Sequence, residues 1–223
     1  MNIKLFFEAI IKFILGVLII GILIFIPANT INYWNGWLFM GLLFIPMFIA
    51  GIIMMIKSPE LLRKRLNAKE KEAEQKLVVK LSGLMFLAGF IMAGLNYRYS
   101  WIVIPKPIVI ISSVIFIISY ILYAEVLREN AYLSRTIEVQ KNQKVIDTGV
   151  YGIVRHPMYA ATILLFLSMP LVLGSLISFI IFLVYPFIIA KRIKNEEEVL
   201  EKELKGYSEY KKKVKYKMIP FIW

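Results

Sequence analysis

The chain contains no cysteine and a single histidine, His156. Without cysteine, disulfides, thiolate metal sites and a cysteine nucleophile are all excluded. One histidine cannot build a zinc or iron centre that needs several imidazole ligands. A serine triad would have to rely on His156 alone, and the sequence has no Gly-x-Ser-x-Gly motif to support one. We therefore expect a functional site without a metal ion.

Acidic residues are also scarce, with 15 Asp and Glu against 27 Lys and Arg, which gives a net charge of +12. Such an excess could indicate nucleic acid. Here, however, the basic residues flank apolar runs and alternate with glutamates, so orientation in a membrane and contact with anionic lipid explain them better. Glycine-rich phosphate loops and internal repeats are absent too. The sequence predicts a membrane setting and no nucleic-acid partner.

What the chain has in abundance is apolar sequence, since 59% of its residues are hydrophobic. Four runs, at 5–26, 37–56, 77–96 and 107–124, each approach the roughly 20 residues that about 30 Å of hydrocarbon requires. The first run is too long for a signal-peptide core, and no small-x-small cleavage pattern follows it. These runs predict an all-α integral membrane protein.

A fifth apolar stretch, 157–190, is long for one helix and short for two full spans. Pro170, Gly174 and Ser175 lie near its middle and favour a tight helical hairpin in which Pro170 kinks the first arm. One strongly tilted helix is the alternative. With the hairpin, the chain has about six transmembrane segments.

Basic residues in the connecting segments test this topology, because Lys and Arg accumulate on the cytoplasmic side of short loops. Seven lie in 57–76, five in 125–158 and ten in 191–223, whereas 27–36 has none and 97–106 has two. The counts alternate if both termini are cytoplasmic and the hairpin forms. Short loops and the absence of targeting signals favour a prokaryotic cytoplasmic membrane.

The chain divides into two regions on this interpretation. Residues 1–124 form a four-span membrane region with a cytoplasmic loop at 57–76. Residues 125–223 comprise a cytoplasmic linker, the hairpin 157–190 and cytoplasmic helices within 191–223. We expect the second region to form the functional pocket.

The segment around His156 is the first candidate for that pocket. A proline disfavours helical geometry in the residue before it and suits a helix start, so Pro157 should open a helix that His156 caps. Arg155 and His156 then lie at a helix N-terminus, which favours the carboxylate or polar edge of a ligand. An ordinary positively flanked helix start is the alternative.

The second candidate is the helix that leaves the last apolar run. Ile193, Glu196, Glu197 and Leu200 share one side of it at a period of 3.6 residues. A face that is half apolar and half acidic could form one wall of a polar pocket. The alternative is a solvated helix with pairs such as Lys194 and Glu198.

Several motifs occur together in the C-terminal region. In order they are Gly149-x-Tyr151, Arg155-His156-Pro157-x-Tyr159, Gly174-Ser175, Arg192-x-x-x-Glu196-Glu197-x-x-Leu200, Gly206-Tyr207-x-x-Tyr210 and Ile219-Pro220. In this order and spacing, 149–220 resembles the membrane methyltransferases that include isoprenylcysteine carboxyl methyltransferase and the phospholipid N-methyltransferases. One departure is Ala161, where the family often has glycine.

The resemblance implies S-adenosylmethionine as cofactor, held at the cytoplasmic ends of the last spans. Glutamates can attract its cationic part, a helix N-terminus with Arg155 can receive its carboxylate, and tyrosine rings offer surface for the adenine or the sulfonium. The predicted cofactor-binding residues are Tyr151, Arg155, His156, Pro157, Tyr159, Glu196 and Glu197.

The acceptor is expected to be lipophilic and membrane-embedded, with a carboxylate that Arg192 orients through a charge-assisted fork. Lipid-headgroup contact is the alternative for Arg192. An amine acceptor, as in a phospholipid N-methyltransferase, would need a base, for which Glu197 or His156 could serve. Two further alternatives are a non-enzymatic membrane protein and a nicotinamide-dependent membrane reductase.

Overall fold

The structure is a computed structural model that describes residues 3–67, 73–133 and 139–223. Its regular elements within these ranges are helices, so the predicted all-α class is confirmed for the described part of the chain. In chain order they are α1 (Ile3–Ala28), α2 (Trp34–Lys57), α3 (Pro59–Leu66), α4 (Ala73–Tyr99), α5 (Lys106–Glu129), a 3₁₀ turn (Gly149–Gly152), α6 (Pro157–Val172), α7 (Leu176–Phe182), α8 (Tyr185–Glu203) and α9 (Tyr207–Lys213).

Five helical stretches are long and apolar enough to cross a membrane. They are Ile3–Ala28, Trp34–Lys57, Lys76–Tyr99, Lys106–Glu129 and Leu176–Glu203. The first four contain the four predicted apolar runs, and the chain is an integral membrane protein. Helix α6 has 16 residues, about 24 Å at 1.5 Å per residue, and is therefore shorter than the other five.

The last apolar stretch folds as a helical hairpin, not as one tilted helix. Gly174, at φ +74°, makes the turn after α6 in the left-handed region that favours glycine. Ser175 then caps α7, because its hydroxyl accepts a hydrogen bond from the Ser178 N–H at 3.1 Å. The returning arm is interrupted between Phe182 and Tyr185, so α7 and α8 are separate helices.

The predicted loop 57–76 is largely helical where it is described. Pro59 opens α3, and α4 begins at Ala73, inside the segment that the sequence assigned to the loop. Residues 68–72 lie outside the described part of the chain. Lys12 of α1 donates a hydrogen bond to the Leu66 carbonyl at 2.9 Å, which ties the end of α3 to the first helix.

An aromatic core holds the hairpin against the other helices. Phe39, Phe90, Phe116 and Phe182 are buried at its centre and come from α2, α4, α5 and α7. A Cβ atom at Gly89 would clash with the Phe182 ring, so α4 and α7 approach each other closely where glycine has no side chain. This packing fixes α6 and α8, the two helices that carry the candidate site.

The turn of the hairpin is fixed by polar side chains from the start of α2 and from α4. The buried Tyr33 hydroxyl donates to the Leu173 carbonyl, and the Asn35 amide donates to the Val172 carbonyl at 2.8 Å. The Asn96 amide nitrogen donates to the Gly174 carbonyl at 3.4 Å. Backbone carbonyls at the end of α6, which lack partners within the helix, thus find side-chain donors.

Candidate functional site

The N-terminus of α6 has the predicted geometry. His156 caps the helix at φ −126° and ψ 59°, and Pro157 is its first residue. The preceding backbone is paired with the C-terminal segment, because the Arg155 N–H donates to the Tyr216 carbonyl at 3.0 Å and the His156 N–H donates to the Lys217 carbonyl at 2.7 Å. These two N–H groups are therefore already bonded within the protein.

Three buried side chains meet at the N-terminus of α6, and we call them the anchoring cluster. They are Arg155, His156 and Glu197. Arg155 Nε donates to Glu197 Oε1 at 2.8 Å, and His156 Nε2 lies 3.2 Å from the same oxygen. Arg155 Nη1 donates to the carbonyls of Val214 and Lys215 at 2.7 and 2.8 Å. The ion pair thus ties α6, α8 and the C-terminal segment together.

A second set, Tyr159, Arg192 and Glu196, lies beside the first, and we call it the cavity cluster. Arg192 Nε donates to the Tyr159 hydroxyl oxygen at 2.8 Å, and the Tyr159 hydroxyl donates to Glu196 Oε2 at 2.6 Å. A guanidinium can only donate, so the phenol proton must point to Glu196. One buried hydroxyl therefore links a cation on α8 to a carboxylate one helical turn further along.

A cavity of about 100 Å³ opens next to these residues. It lies between the N-terminus of α6, the second half of α8, α9 and the segment before the 3₁₀ turn. Six of the predicted site residues line it, namely Tyr151, Arg155, His156, Tyr159, Arg192 and Glu196. The helix face that was predicted to form a pocket wall does so through Glu196 and Leu200.

Two other predicted residues, Pro157 and Glu197, are not among the described residues that line the cavity. Glu197 is instead turned towards Arg155 and His156, with Lys217 Nζ 3.6 Å from its other oxygen. Ala161, the position at which the sequence departs from the resembling family, is fully buried. Ala161 is also not among the described residues that line the cavity.

Two tyrosines of α9 belong to the site and were absent from the predicted set. Tyr207 and Tyr210 both line the cavity. The Tyr210 hydroxyl donates to the Tyr151 carbonyl at 2.8 Å, and Asn130 Nδ2 donates to the Tyr151 hydroxyl at 3.1 Å. The signal was available in Gly206-Tyr207-x-x-Tyr210, since a spacing of three places both rings on one side of a helix.

Tyr207 differs from the tyrosines around it. Its hydroxyl is buried and has no hydrogen-bond partner among the described residues. Burial, and then the carboxylates of Glu197 and Glu196, raise the pKa of Tyr207 well above its usual value. The hydroxyl therefore keeps its proton throughout the physiological pH range.

Comparison with known proteins locates this site within a recognised family region. Residues 107–202 match the isoprenylcysteine carboxyl methyltransferase (ICMT) family. The match begins earlier than the motifs did, near the start of α5, and ends before α9. The matched region includes every residue of the anchoring cluster and of the cavity cluster.

A curated relative is the Delta(14)-sterol reductase of Mus musculus, which is 29% identical over 91 residues. These residues are 40% of this chain and 22% of the reductase, so the similarity spans less than a quarter of that relative's length. The match to the family is the one that the motifs around His156 and Glu196 indicated. Residues 107–202, a little under half of the chain, are therefore similar to the isoprenylcysteine carboxyl methyltransferase family.

Proposed function

We propose that this protein is an S-adenosylmethionine-dependent membrane methyltransferase that methylates a carboxylate on a lipophilic acceptor. The observation that carries the proposal is the cavity cluster. There the Tyr159 hydroxyl joins two residues of α8 beside the cavity. It lies 2.8 Å from the buried Arg192 Nε and 2.6 Å from Glu196 Oε2. The family match over residues 107–202 supports the same conclusion.

The residues around the cavity fit the chemistry of the methyl donor. Glu196 offers a negative charge to its cationic part, and the rings of Tyr151 and Tyr159 offer aromatic faces. The cavity of about 100 Å³ is smaller than the roughly 300 Å³ at the lower end for ligand sites. Binding of the whole donor would therefore have to widen it.

Arg155 has a different part in this proposal from the one that the sequence suggested. Its charge is balanced by Glu197, and its Nη1 atom is bonded to two carbonyls of the C-terminal segment. A guanidinium held in this way stabilises the wall of the cavity and has less capacity to receive a donor carboxylate. We therefore assign the anchoring cluster, Glu197 included, to holding the site together.

Arg192 is the proposed acceptor-orienting residue. When bound, S-adenosylmethionine would supply a methyl group on a positively charged sulfur. An acceptor carboxylate oriented by Arg192 would form the new O–C bond to that methyl carbon as the C–S bond breaks and its electron pair leaves with the sulfur. A carboxylate with a pKa of about 4 is already ionised and needs no base. The protein would contribute alignment and exclusion of water, which together supply several kcal/mol.

The membrane arrangement is part of the proposal. We infer six crossings with both termini cytoplasmic. The short helix α6 is the crossing that is added to the five long helical stretches. The distribution of Lys and Arg supports this, with seven in 57–76, five in 125–158 and ten in 191–223. The cavity then opens on the cytoplasmic side, where a lipid acceptor and a water-soluble donor can meet.

Two alternative functions can each be compared with a specific observation. A phospholipid N-methyltransferase would need His156 or Glu197 as base, and both are engaged in the anchoring cluster. A nicotinamide-dependent reductase is favoured by the similarity to the mouse Delta(14)-sterol reductase, which includes 91 residues. Each predicts a different ligand or acceptor.

Calorimetry on detergent-purified protein tests the proposal. The wild type should bind S-adenosylmethionine and not NADPH, and Glu196→Ala should weaken the binding while the exposed neighbour Glu198→Ala leaves it unchanged. With a labelled methyl donor, a prenylated cysteine should accept the label and phosphatidylethanolamine should not. Binding of NADPH alone would support the reductase, and labelling of the phospholipid alone would support the N-methyltransferase.

A further inference from the structure

Tyr207 combines burial with an unpaired polar atom. It is 4% exposed, it lines the cavity, and its hydroxyl has no hydrogen-bond partner among the described residues. Buried hydroxyl groups in proteins are nearly always paired, because leaving one unpaired costs free energy. A ligand atom that enters the cavity can supply the missing partner.

The neighbouring tyrosines differ from Tyr207, because their hydroxyls are hydrogen-bonded. The hydroxyls of Tyr151, Tyr159 and Tyr210 all have partners within the protein. The Tyr207 ring is packed in a small apolar cluster with Leu204, so its hydroxyl cannot turn to solvent without breaking that packing. This buried hydroxyl therefore belongs to a packed side chain that lines the cavity.

The surrounding charge indicates which kind of ligand atom would meet this hydroxyl. Both Glu196 and Glu197 are close enough to raise the pKa of Tyr207, so an anionic ligand group would be repelled there. Glu197 is already neutralised by Arg155, whereas Glu196 faces the cavity. A cationic N–H group could approach Glu196 and donate a hydrogen bond to the oxygen of Tyr207.

We propose that the Tyr207 hydroxyl binds the ammonium group of the methyl donor's amino-acid moiety. This inference rests on the proposed function, because it takes S-adenosylmethionine as the ligand. It makes Tyr207 a ligand-binding residue and makes α9, which follows the matched residues 107–202, part of the donor site. The donor would then tie α8 to α9 by bridging Glu196 and Tyr207.

The test compares two ligands on Tyr207→Phe, a substitution that keeps the ring and removes only the hydroxyl. Affinity for S-adenosylmethionine should fall by roughly tenfold or more, as expected for a hydrogen bond to a charged group. Affinity for a deaminated analogue of S-adenosylmethionine should be the same for both proteins. Tyr99→Phe, an exposed tyrosine at the end of α4, is the matched control and should bind both ligands like the wild type.

Melting temperature in detergent gives a second measurement. Without ligand, Tyr207→Phe should melt at the same temperature as the wild type or higher, because the hydroxyl has no partner to lose among the described residues. With S-adenosylmethionine it should gain less stability than the wild type. A lower melting temperature without ligand would show that the hydroxyl is bonded within the protein, and would overturn the proposal.

The remaining outcomes separate this inference from the proposed function. Equal affinity of Tyr207→Phe and wild type for S-adenosylmethionine would overturn the role of Tyr207 alone. Equal losses for both ligands would also overturn it, since they would reflect a general change of the cavity. A folded wild type that does not bind S-adenosylmethionine would refute the proposed function, and this inference with it.

Discussion

The anchoring cluster and the cavity cluster use glutamates that are adjacent in sequence, yet their environments differ. Glu197 is 4% exposed and meets Arg155 and His156, while Glu196 is partly exposed, lines the cavity and accepts a hydrogen bond from Tyr159. Consecutive residues on a helix point about 100° apart, at 3.6 residues per turn. One carboxylate therefore faces the C-terminal segment and the other faces the cavity.

The two clusters also differ in how their charges are used. In the anchoring cluster, a single oxygen of Glu197 meets two cation-forming side chains, and Arg155 also satisfies two carbonyls of the C-terminal segment. In the cavity cluster, the Tyr159 hydroxyl accepts a hydrogen bond from Arg192 and donates one to Glu196. The first arrangement stabilises the structure, and the second keeps opposite charges beside a space that a ligand can enter.

Breaking the anchoring cluster should have the largest effect. Arg155→Met leaves Glu197 without its main buried partner and removes two hydrogen bonds to the C-terminal segment. We expect a loss of roughly 3–5 kcal/mol in the free energy of unfolding, as for other broken buried ion pairs. The melting temperature in detergent measures it. Arg128→Met, which removes an exposed pair with Glu125, is the control and should melt like the wild type.

Removing the cation of the cavity cluster should affect the acceptor. With Arg192→Ala, the acceptor KM should rise by roughly 10- to 100-fold, the range expected for a charged hydrogen bond. The dissociation constant of the donor should change little. Steady-state kinetics with calorimetry separates the two constants, and Lys194→Ala, an exposed position on the same helix, is the control. Unchanged turnover would contradict the role of Arg192.

Neutralising the cavity carboxylate should have a smaller effect, on the donor. Glu196→Gln keeps the shape of the side chain and removes its charge, so affinity for S-adenosylmethionine should fall by about tenfold while the fold is retained. Calorimetry measures the first and melting temperature the second. Glu198→Gln, an exposed glutamate two residues on, should match the wild type in both. A large drop in melting temperature for Glu196→Gln would instead assign Glu196 to the anchoring role.

The smallest expected effect is that of pH on turnover. A carboxylate acceptor stays ionised from about pH 5.5 to 8, and the pKa of Tyr207 is raised by burial and then by Glu197, so its hydroxyl stays protonated over the same range. The rate should therefore be flat between these limits. A rate that rises with pH would indicate an amine acceptor, which must lose a proton before attack.

Much of the fold could be predicted from the sequence alone, for reasons that are local. A run of about 20 apolar residues has to be helical to cross a membrane, because every backbone polar group must be bonded within the segment. The four runs that begin at Leu5, Trp37, Leu77 and Pro107 all lie within long helices. Likewise Pro157 opened a helix and Gly174 made a turn, as their fixed or permissive backbone angles require.

The sequence by itself thus determined the long helices, the hairpin, and the grouping of His156, Tyr159 and Glu196 at one end of the last helices. The tertiary structure alone decided that Arg155 binds Glu197 and the C-terminal segment, and that Tyr207 lines the cavity while its buried hydroxyl has no hydrogen-bond partner among the described residues. The reason is physical. Helix formation and membrane length follow from neighbouring residues, whereas the partner of a charge depends on side chains brought together from distant parts of the chain.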